Sequence, residues 1–374
     1  MKILFCTSFF AQTHNGAGQF ANTVFRINEL FPEHELHILS EDLDKKQVRC
    51  HPITIDYPRW LQGFGMLLRS FSYYRAAQEL HQTHQFDLIF FNHAFTGIWS
   101  ALRFSKPTKV VGFLHDDNLL TQNLQQFSFS KRWFIRATYR QVEKWAMRYL
   151  DANFVNTKYL QQVVQEVYSI HPKKLYQTYV PIDVQCIPFQ SNRPIDLTQV
   201  IKVLFVKNDY PRGGLADLIV ALGQLAYQFQ LTVIGPFPSA HNEIQKWVAA
   251  QNNVQLNFLG NCTQARVFTA LQTHHLLCIP AIKEAQGVTN IEGLAAGIPV
   301  VTTHVGGIPE IMNQGENGWL VAANAPKKLA STLKDCLENP AVRQQKSAAG
   351  RAFVLQHFDQ QKTLATLLQK LQSL

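Results

Sequence analysis

The stretch Leu276–Met312, LLCIPAIKEAQGVTNIEGLAAGIPVVTTHVGGIPEIM, holds two carboxylates spaced for ligand chemistry. Its apolar start reads as a strand ending at Pro280, and a short loop then carries Glu284, Gln286 and Gly287. A helix is expected from near Thr289 to Gly297, because Gly after a last turn, with Pro299 two residues on, is a stop signal. The amides of Gly287, Val288 and Thr289 then lie at a helix N-terminus, where backbone N–H groups bind phosphate, and Gly287 lets a ligand approach the backbone closely. Glu292 falls about one turn into that helix. Two carboxylates beside an anion site repel the anion unless they face something else. Vicinal hydroxyls are their natural partners, and a nucleotide sugar carries such diols on both sides of a diphosphate. A plainer reading makes Thr289-x-x-Glu292 a capping box and Glu284 a solvated loop residue.

Two further groups stand out. His14-Asn15-Gly16-Ala17-Gly18-Gln19-Phe20-Ala21 fits G-x-G-x-x-A, with Glu41 and Asp42 after the next strand, so a nicotinamide site is a rival reading. Against it, the glycines come well after the strand end near Ser8, not at its immediate turn. Leu114-His115-Asp116-Asp117 ends another strand. The two aspartates invite a metal, but no DxD lies in a suitable loop, so no metal is expected.

The elements that must position these groups are legible as apolar runs. The first series is Ile3–Thr7, Glu35–Leu39, Leu88–Phe91, Val110–Leu114 and Asn153–Val155. The second is Val203–Val206, Leu231–Ile234, Gln255–Phe258, Leu276–Ile279, Val300–Thr302 and Gly318–Val321. Such runs, separated by helical patterns, predict buried parallel strands in two doubly wound α/β domains. Pro181–Leu197, rich in Pro, Asn and Ser, reads as the link between domains at 1–183 and 198–358. Leu364, Leu367, Leu368 and Leu371 mark an amphipathic last helix over 359–374, expected to pack back on the first domain.

Composition narrows the classes. The 374 residues are 46% hydrophobic and 16% charged, enough for two cores and unlike a disordered chain. The formal charge of +9 is shared by both halves and favours anionic partners. No basic arm, zinc-finger or RNP pattern points to nucleic acid. Cys6, Cys50, Cys186, Cys262, Cys278 and Cys336 form no CxxC pair and read as reduced residues of a cytoplasmic protein. The N-terminus has no signal-peptide pattern, and no apolar run is long enough to span a membrane. Two segments mix aromatic and basic residues, Arg59-Trp60-Leu61 to Arg75 and Lys131-Arg132-Trp133-Phe134 to Arg140; peripheral contact with the inner membrane face is an alternative to core packing. Glu143 and Asp151 read as structural.

E-x7-E followed by GLAAGIPVV, VGGIPE and G-x-N-G-W-L-V resembles the retaining glycosyltransferases of family 4, whose fold is GT-B: two Rossmann-like parallel-sheet domains facing a cleft. The resemblance covers essentially the whole chain and is strongest from Ile201 to Phe358. It implies that Glu284 contacts the transferred sugar and Glu292 the ribose hydroxyls, with the amides of Gly287, Val288 and Thr289 on sugar and diphosphate. It implies that the Gly16–Gly18 loop faces the donor phosphates and that His115 approaches the sugar. Family members carry Gly-Arg after the first strand of the second domain and Lys-Gly a few residues on. Here Lys207 holds the glycine position and Gly213 the lysine position, leaving Arg212 and Lys207 as the expected diphosphate cations. The implied reaction moves a hexosyl unit from a nucleoside diphosphate sugar, UDP first and GDP second, to a hydroxyl of a glycan or lipid-linked glycan, as in cell-envelope polysaccharide synthesis. No metal or other cofactor is implied. Two alternatives remain open: a sugar-nucleotide epimerase or hydrolase, and a non-catalytic sugar-nucleotide-binding protein.

Overall fold

The computed structural model describes residues 1–11, 16–43, 47–55, 64–117, 120, 131–190, 193–236 and 241–374, with 131–133, 135–136 and 241–243 described in backbone only. The chain folds as two units, Met1–Val180 with Thr363–Leu374, and Pro181–Lys362.

The first unit holds a seven-stranded sheet: β1 (Lys2–Thr7), β2 (Glu35–Ser40), β3 (Cys50–Pro52), β4 (Leu88–Phe91), β5 (Lys109–Leu114), β6 (Ala152–Val155) and β7 (Leu175–Gln177). Their order is β3-β2-β1-β4-β5-β6-β7, and every pairing is parallel. Residues 3–7 of β1 and all of β4 are buried, as apolar runs covered on both faces must be. The rings of Phe5, Phe20, Phe90, Phe113 and Phe154 touch in series, with centroids 4.4–6.1 Å apart. This aromatic layer continues to His115, whose ring lies 4.4 Å from that of Phe113.

The second unit repeats the plan with β8 (Ile201–Val206), β9 (Phe229–Ile234), β10 (Val254–Gly260), β11 (Leu276–Ile279), β12 (Val300–Thr303) and β13 (Trp319–Val321). The order is β10-β9-β8-β11-β12-β13, again parallel throughout. Both sheets therefore reverse direction at their first strand, between β1 and β4 and between β8 and β11. Ligands bind outside the carboxyl ends of strands at such switch points.

Of the stretch 181–197, expected to link the units, the described residues 181–190 and 193–197 cluster with the second. Ile182, Val184 and Ile187 are buried there. The Arg193 guanidinium donates to the carbonyls of Leu271, Gln272, His274 and Ala296 at 2.6–3.2 Å. A polar, proline-rich composition hides this role because one side chain does the anchoring. The last helix, Gln360–Gln372, buries Leu364, Leu367, Leu368 and Leu371, and its residues from Thr363 on belong with the first unit. Among the described residues no helix is long and apolar enough to cross a membrane. No disulfide joins the six cysteines, and Cys6, Cys50, Cys278 and Cys336 are buried.

Candidate functional site

In the second unit the β8 and β11 loops meet across the switch point. β11 ends, the loop runs to Gly287, and a helix spans Val288–Ala296. Gly287 is the N-cap at φ 81°, a left-handed conformation that costs a side-chain-bearing residue about 1–2 kcal/mol. Gly297 closes the helix at φ 74°. The capping-box reading therefore fails: Thr289 lies inside the first turn, and no side chain caps this end. The opening amides of the helix, Val288 and Thr289 among them, lie beyond the reach of carbonyls within it. Their dipoles favour an anion at this end.

Glu284 is not a solvated loop residue. Its carboxylate pairs with the ammonium of Lys207, just past the end of β8, and both side chains are largely covered at 16% and 22% exposure. The second Glu284 oxygen accepts from the amide of Ala285 at 3.1 Å, and its carbonyl accepts from the amide of Gly307 at 3.3 Å. The GlyGly turn after β12 is thus tied to the glutamate. Arg212 binds the same loop in two places. Its carbonyl accepts from Ile282 N at 2.8 Å, and its Nε donates to the carbonyl of Lys283 at 3.0 Å. Lys207, Arg212, Glu284 and Gly287–Thr289 form one group, with two cations beside a helix N-terminus.

Glu292 is the fifth residue of that helix and is buried. It accepts from Nε2 of Gln264 at 3.1 Å. Burial pushes its carboxyl up to about 7, and the Gln264 hydrogen bond offsets part of that. Gln264 opens the helix Gln264–Thr273, and nothing in its local sequence marks it. Asn290, also buried, donates weakly to Thr302 Oγ1 at 3.4 Å, while its Oδ1 has no partner. An unmet buried acceptor of this kind costs about 1–3 kcal/mol.

A second group lies at the β1–β4 switch point of the first unit. Gly16 and Gly18 open the helix Gly16–Phe25; His14 and Asn15 lie outside the described residues. Asn92, directly after β4, joins the parts. Its amide donates to Thr7 Oγ1 and to the carbonyl of Ala17, each at 2.9 Å. Both amide hydrogens are thereby used, so its Oδ1 must accept from Nε2 of His115 at 2.7 Å. His115 carries its proton on Nε2 and presents Nδ1 as an acceptor. Burial holds His115 well below the usual imidazole range, and the neighbouring His93 adds to this. His93 itself is lowered to about 4, chiefly by burial. Sequence reading missed Asn92 and His93; their place just past a central strand's carboxyl end was the available signal.

The remaining candidates have structural employment. Glu41 accepts from Ser8, Tyr73 and Arg69 at 2.6–2.8 Å, and Asp42 from Ser40 and the amides of Phe10 and Ala11. Asp117 accepts from Tyr159 at 3.0 Å. Glu143 is buried, raised to about 8 by burial, and accepts from Tyr168 at 2.8 Å. Asp151 accepts from the amide of Val110 at 2.9 Å. In the two aromatic-basic segments, Arg59, Trp60 and Leu61, and the side chains of Lys131, Arg132 and Trp133, lie outside the described residues.

Comparison with known proteins bears on the family and the fold. The glycosyl transferases group 1 family matches residues 190–353, and the glycosyltransferase family 4 domain matches residues 29–185. An uncharacterised glycosyltransferase of Methanocaldococcus jannaschii is 23% identical over 94% of this chain and 93% of its own. Sucrose-phosphate synthase from Thermosynechococcus elongatus superposes with a TM-score of 0.79 at 16% identity, covering 100% of this chain and 99% of that one. Anabaena HepE, in complex with UDP and glucose, superposes with a TM-score of 0.74 at 19% identity over the full length of both chains. The fold is GT-B.

Proposed function

The chain is a glycosyltransferase belonging to family 4 of the group 1 type, and from that membership we propose that it moves a hexosyl unit from a nucleoside diphosphate sugar to an acceptor hydroxyl, with retention of configuration. The observation that carries this reading is the Lys207–Glu284 pair set beside a helix N-terminus at the switch point of the second sheet. The cations Lys207 and Arg212 and the amides of Gly287, Val288 and Thr289 take the diphosphate. Charge that develops on the leaving group is met by donors already in place, with no metal needed. Glu284 accepts from hydroxyls of the transferred sugar, and Glu292 from the ribose diol. His115 offers a neutral Nδ1 to a sugar hydroxyl. Among the described residues no side chain is placed as a nucleophile; a donor phosphate oxygen takes the acceptor proton on the same face. UDP is the first expected nucleotide, in keeping with the UDP held by the Anabaena relative, and GDP the second.

The acceptor is a glycan or lipid-linked glycan. On the helix Lys131–Tyr149, Phe134, Trp145 and Tyr149 are exposed, with exposed Arg148 between the last two. Aromatic rings beside a cation suit an anionic membrane surface. Flotation with vesicles containing anionic lipid tests this: binding is expected, and loss of it in Trp145→Ser/Tyr149→Ser is required.

The test of the reaction is a product assay with UDP- and GDP-hexoses. Nucleotide release that depends on acceptor, with the product anomer matching the donor by NMR, is the expected result. Donor turnover without acceptor instead identifies an epimerase or hydrolase. Binding without turnover identifies a sugar-nucleotide-binding protein.

A further inference from the structure

Three histidines converge at one edge of the first sheet, away from the groups described above. His37 lies in β2, His51 in the edge strand β3, and His84 is the last residue of the helix Gly65–His84. β2 and β3 run in register with Leu39 opposite His51, so His37 and His51 point to the same face. Their rings are near parallel and meet edge to edge, with centroids 5.3 Å apart, and the His84 ring lies 4.4 Å from that of His37. Nδ1 of His37 is 2.9 Å from Nε2 of His51, and ligand nitrogens of all three lie within 4.8 Å of one another. His37 and His51 are buried, and His84 is half-buried. The other nitrogen of His37, Nε2, meets the Glu35 carboxylate at 2.8 Å.

We propose that His37, His51 and His84 form a three-imidazole site for a divalent transition metal of the zinc class, with Glu35 orienting His37 from behind. The Glu35 contact assigns the His37 proton to Nε2 and leaves the Nδ1 lone pair facing Nε2 of His51. A carboxylate behind a metal-binding histidine fixes its tautomer and raises its basicity in this way. Tetrahedral zinc with Zn–N bonds of about 2.0–2.1 Å needs ligand nitrogens about 3.3 Å apart. The His37–His51 pair stands within about half an ångström of that spacing. The longer edges close by rotation of His84, the least enclosed ring, while the His37 and His51 rings turn so that their lone pairs meet at the ion and not at each other. In the free protein a proton bridges His37 and His51; the metal takes its place, and all three rings bind as neutral imidazoles. Imidazole donors without thiolate select zinc, copper and nickel over calcium or magnesium. Three protein ligands leave the remaining coordination to water.

The site ties a three-residue edge strand and a helix end to β2. His37 stands opposite Leu4, three residues before β1 ends at Thr7, so the metal lies about 10 Å short of the sheet's carboxyl edge. It takes no part in donor chemistry, and the inference stands apart from the function proposed above. Lys2 lies 3.8 Å from Glu35, and Arg49 acts on both Glu35 and His37. These cations oppose a dication and so weaken its binding.

The test uses full-length protein, free of any affinity tag and stripped with EDTA. Zinc is titrated against a chromophoric chelator, and cobalt binding is read by its visible absorption. One equivalent per chain is expected, with a rise in Tm of a few degrees at saturating zinc. His84→Ala, at a half-buried ring, is expected to lose at least about tenfold in affinity and the whole Tm increment. His171→Asn, at an exposed histidine elsewhere, keeps both. No stoichiometric binding, or binding that His84→Ala leaves unchanged, overturns the site.

Discussion

The ammonium of Lys207 rests on the carboxylate of Glu284, joining the loops after β8 and β11 across the point where the second sheet reverses its strand order. In the proposed reaction each partner has another use, the lysine for diphosphate and the glutamate for sugar hydroxyls. Donor binding must therefore exchange this pair for two new contacts. Glu284→Gln removes the competitor and leaves the lysine free. Its affinity for the free nucleoside diphosphate is expected to hold or to tighten by a few-fold, while turnover falls at least about a hundredfold. Lys207→Met is expected to weaken nucleotide binding about tenfold, the loss of one partly covered charged contact. Calorimetry with UDP and initial rates separate the two variants. Nucleotide binding lost in Glu284→Gln would reverse the assignment.

Lys207 also explains Gly213. A Cβ at Gly213 would stand 2.9 Å from Lys207 Cγ and 2.7 Å from Cζ of the buried Phe205. The lysine stem fills the space that a side chain at 213 would need, so the two exchanged residues accommodate each other. Gly213→Ala is expected to destabilise the fold by about 1–3 kcal/mol through overpacking and to weaken nucleotide binding with it. In a Lys207→Gly background the same change costs less, because only the Phe205 contact remains. Urea unfolding of the four proteins gives the coupling; simple additivity would show that the two positions do not interact.

Glu292 sets a pH dependence with a definite sign. The folded carboxyl titrates at about 7, against an ordinary value of 4.5. The unfolded chain releases this proton first, so Glu292 makes stability fall as pH rises from about 4.5 to about 7, by about 3 kcal/mol in all, and adds no slope above. Glu292→Gln is expected to flatten that slope in denaturant titrations. The carboxylate is also the form that accepts from a ribose diol. Wild-type affinity for a nucleoside diphosphate should therefore rise about tenfold between about pH 6 and pH 8 from this group, and the glutamine variant should lack that part. Equal pH profiles for the two proteins would remove Glu292 from the nucleotide site.

Much of this was legible in the chain because buried parallel strands announce themselves as apolar runs. Every strand expected from such a run is present, including Leu276–Ile279 at its expected bounds. The strands that escaped notice, Cys50–Pro52 and Leu175–Gln177, are three-residue edge strands with polar or proline positions, too short to show a period. Within the site, Glu284, Glu292 and Gly287 were readable because one strand–loop–helix segment carries them all. Asn92 and Gln264 were not, since each acts on a residue far away in sequence, His115 and Glu292. His37, His51 and His84 form no motif for the same reason: sheet register and a helix end bring them together.

Asn92 is a positioning residue, and its test must separate that role from simple stability. It is fully buried, and its loss strands the Nε2–H of His115 and takes one hydrogen bond each from the Thr7 hydroxyl, which keeps Phe9, and from the Ala17 carbonyl, which lies within a helix. Asn92→Ala is expected to cost about 1–3 kcal/mol of stability, chiefly from the buried imidazole N–H left unpaired. Freed of Asn92, the imidazole can flip its tautomer and withdraw the Nδ1 acceptor from the sugar. Turnover is then expected to fall about tenfold or more, and nucleotide affinity to fall less, since Lys207, Arg212 and the Gly287–Thr289 amides belong to the second unit and only the Gly16–Gly18 loop touches Asn92. His115→Ala should lose as much on its own, and adding Asn92→Ala to it should lower turnover no further. A further fall in the double variant, measured where all the proteins remain folded by circular dichroism, would show that Asn92 acts by a route other than His115.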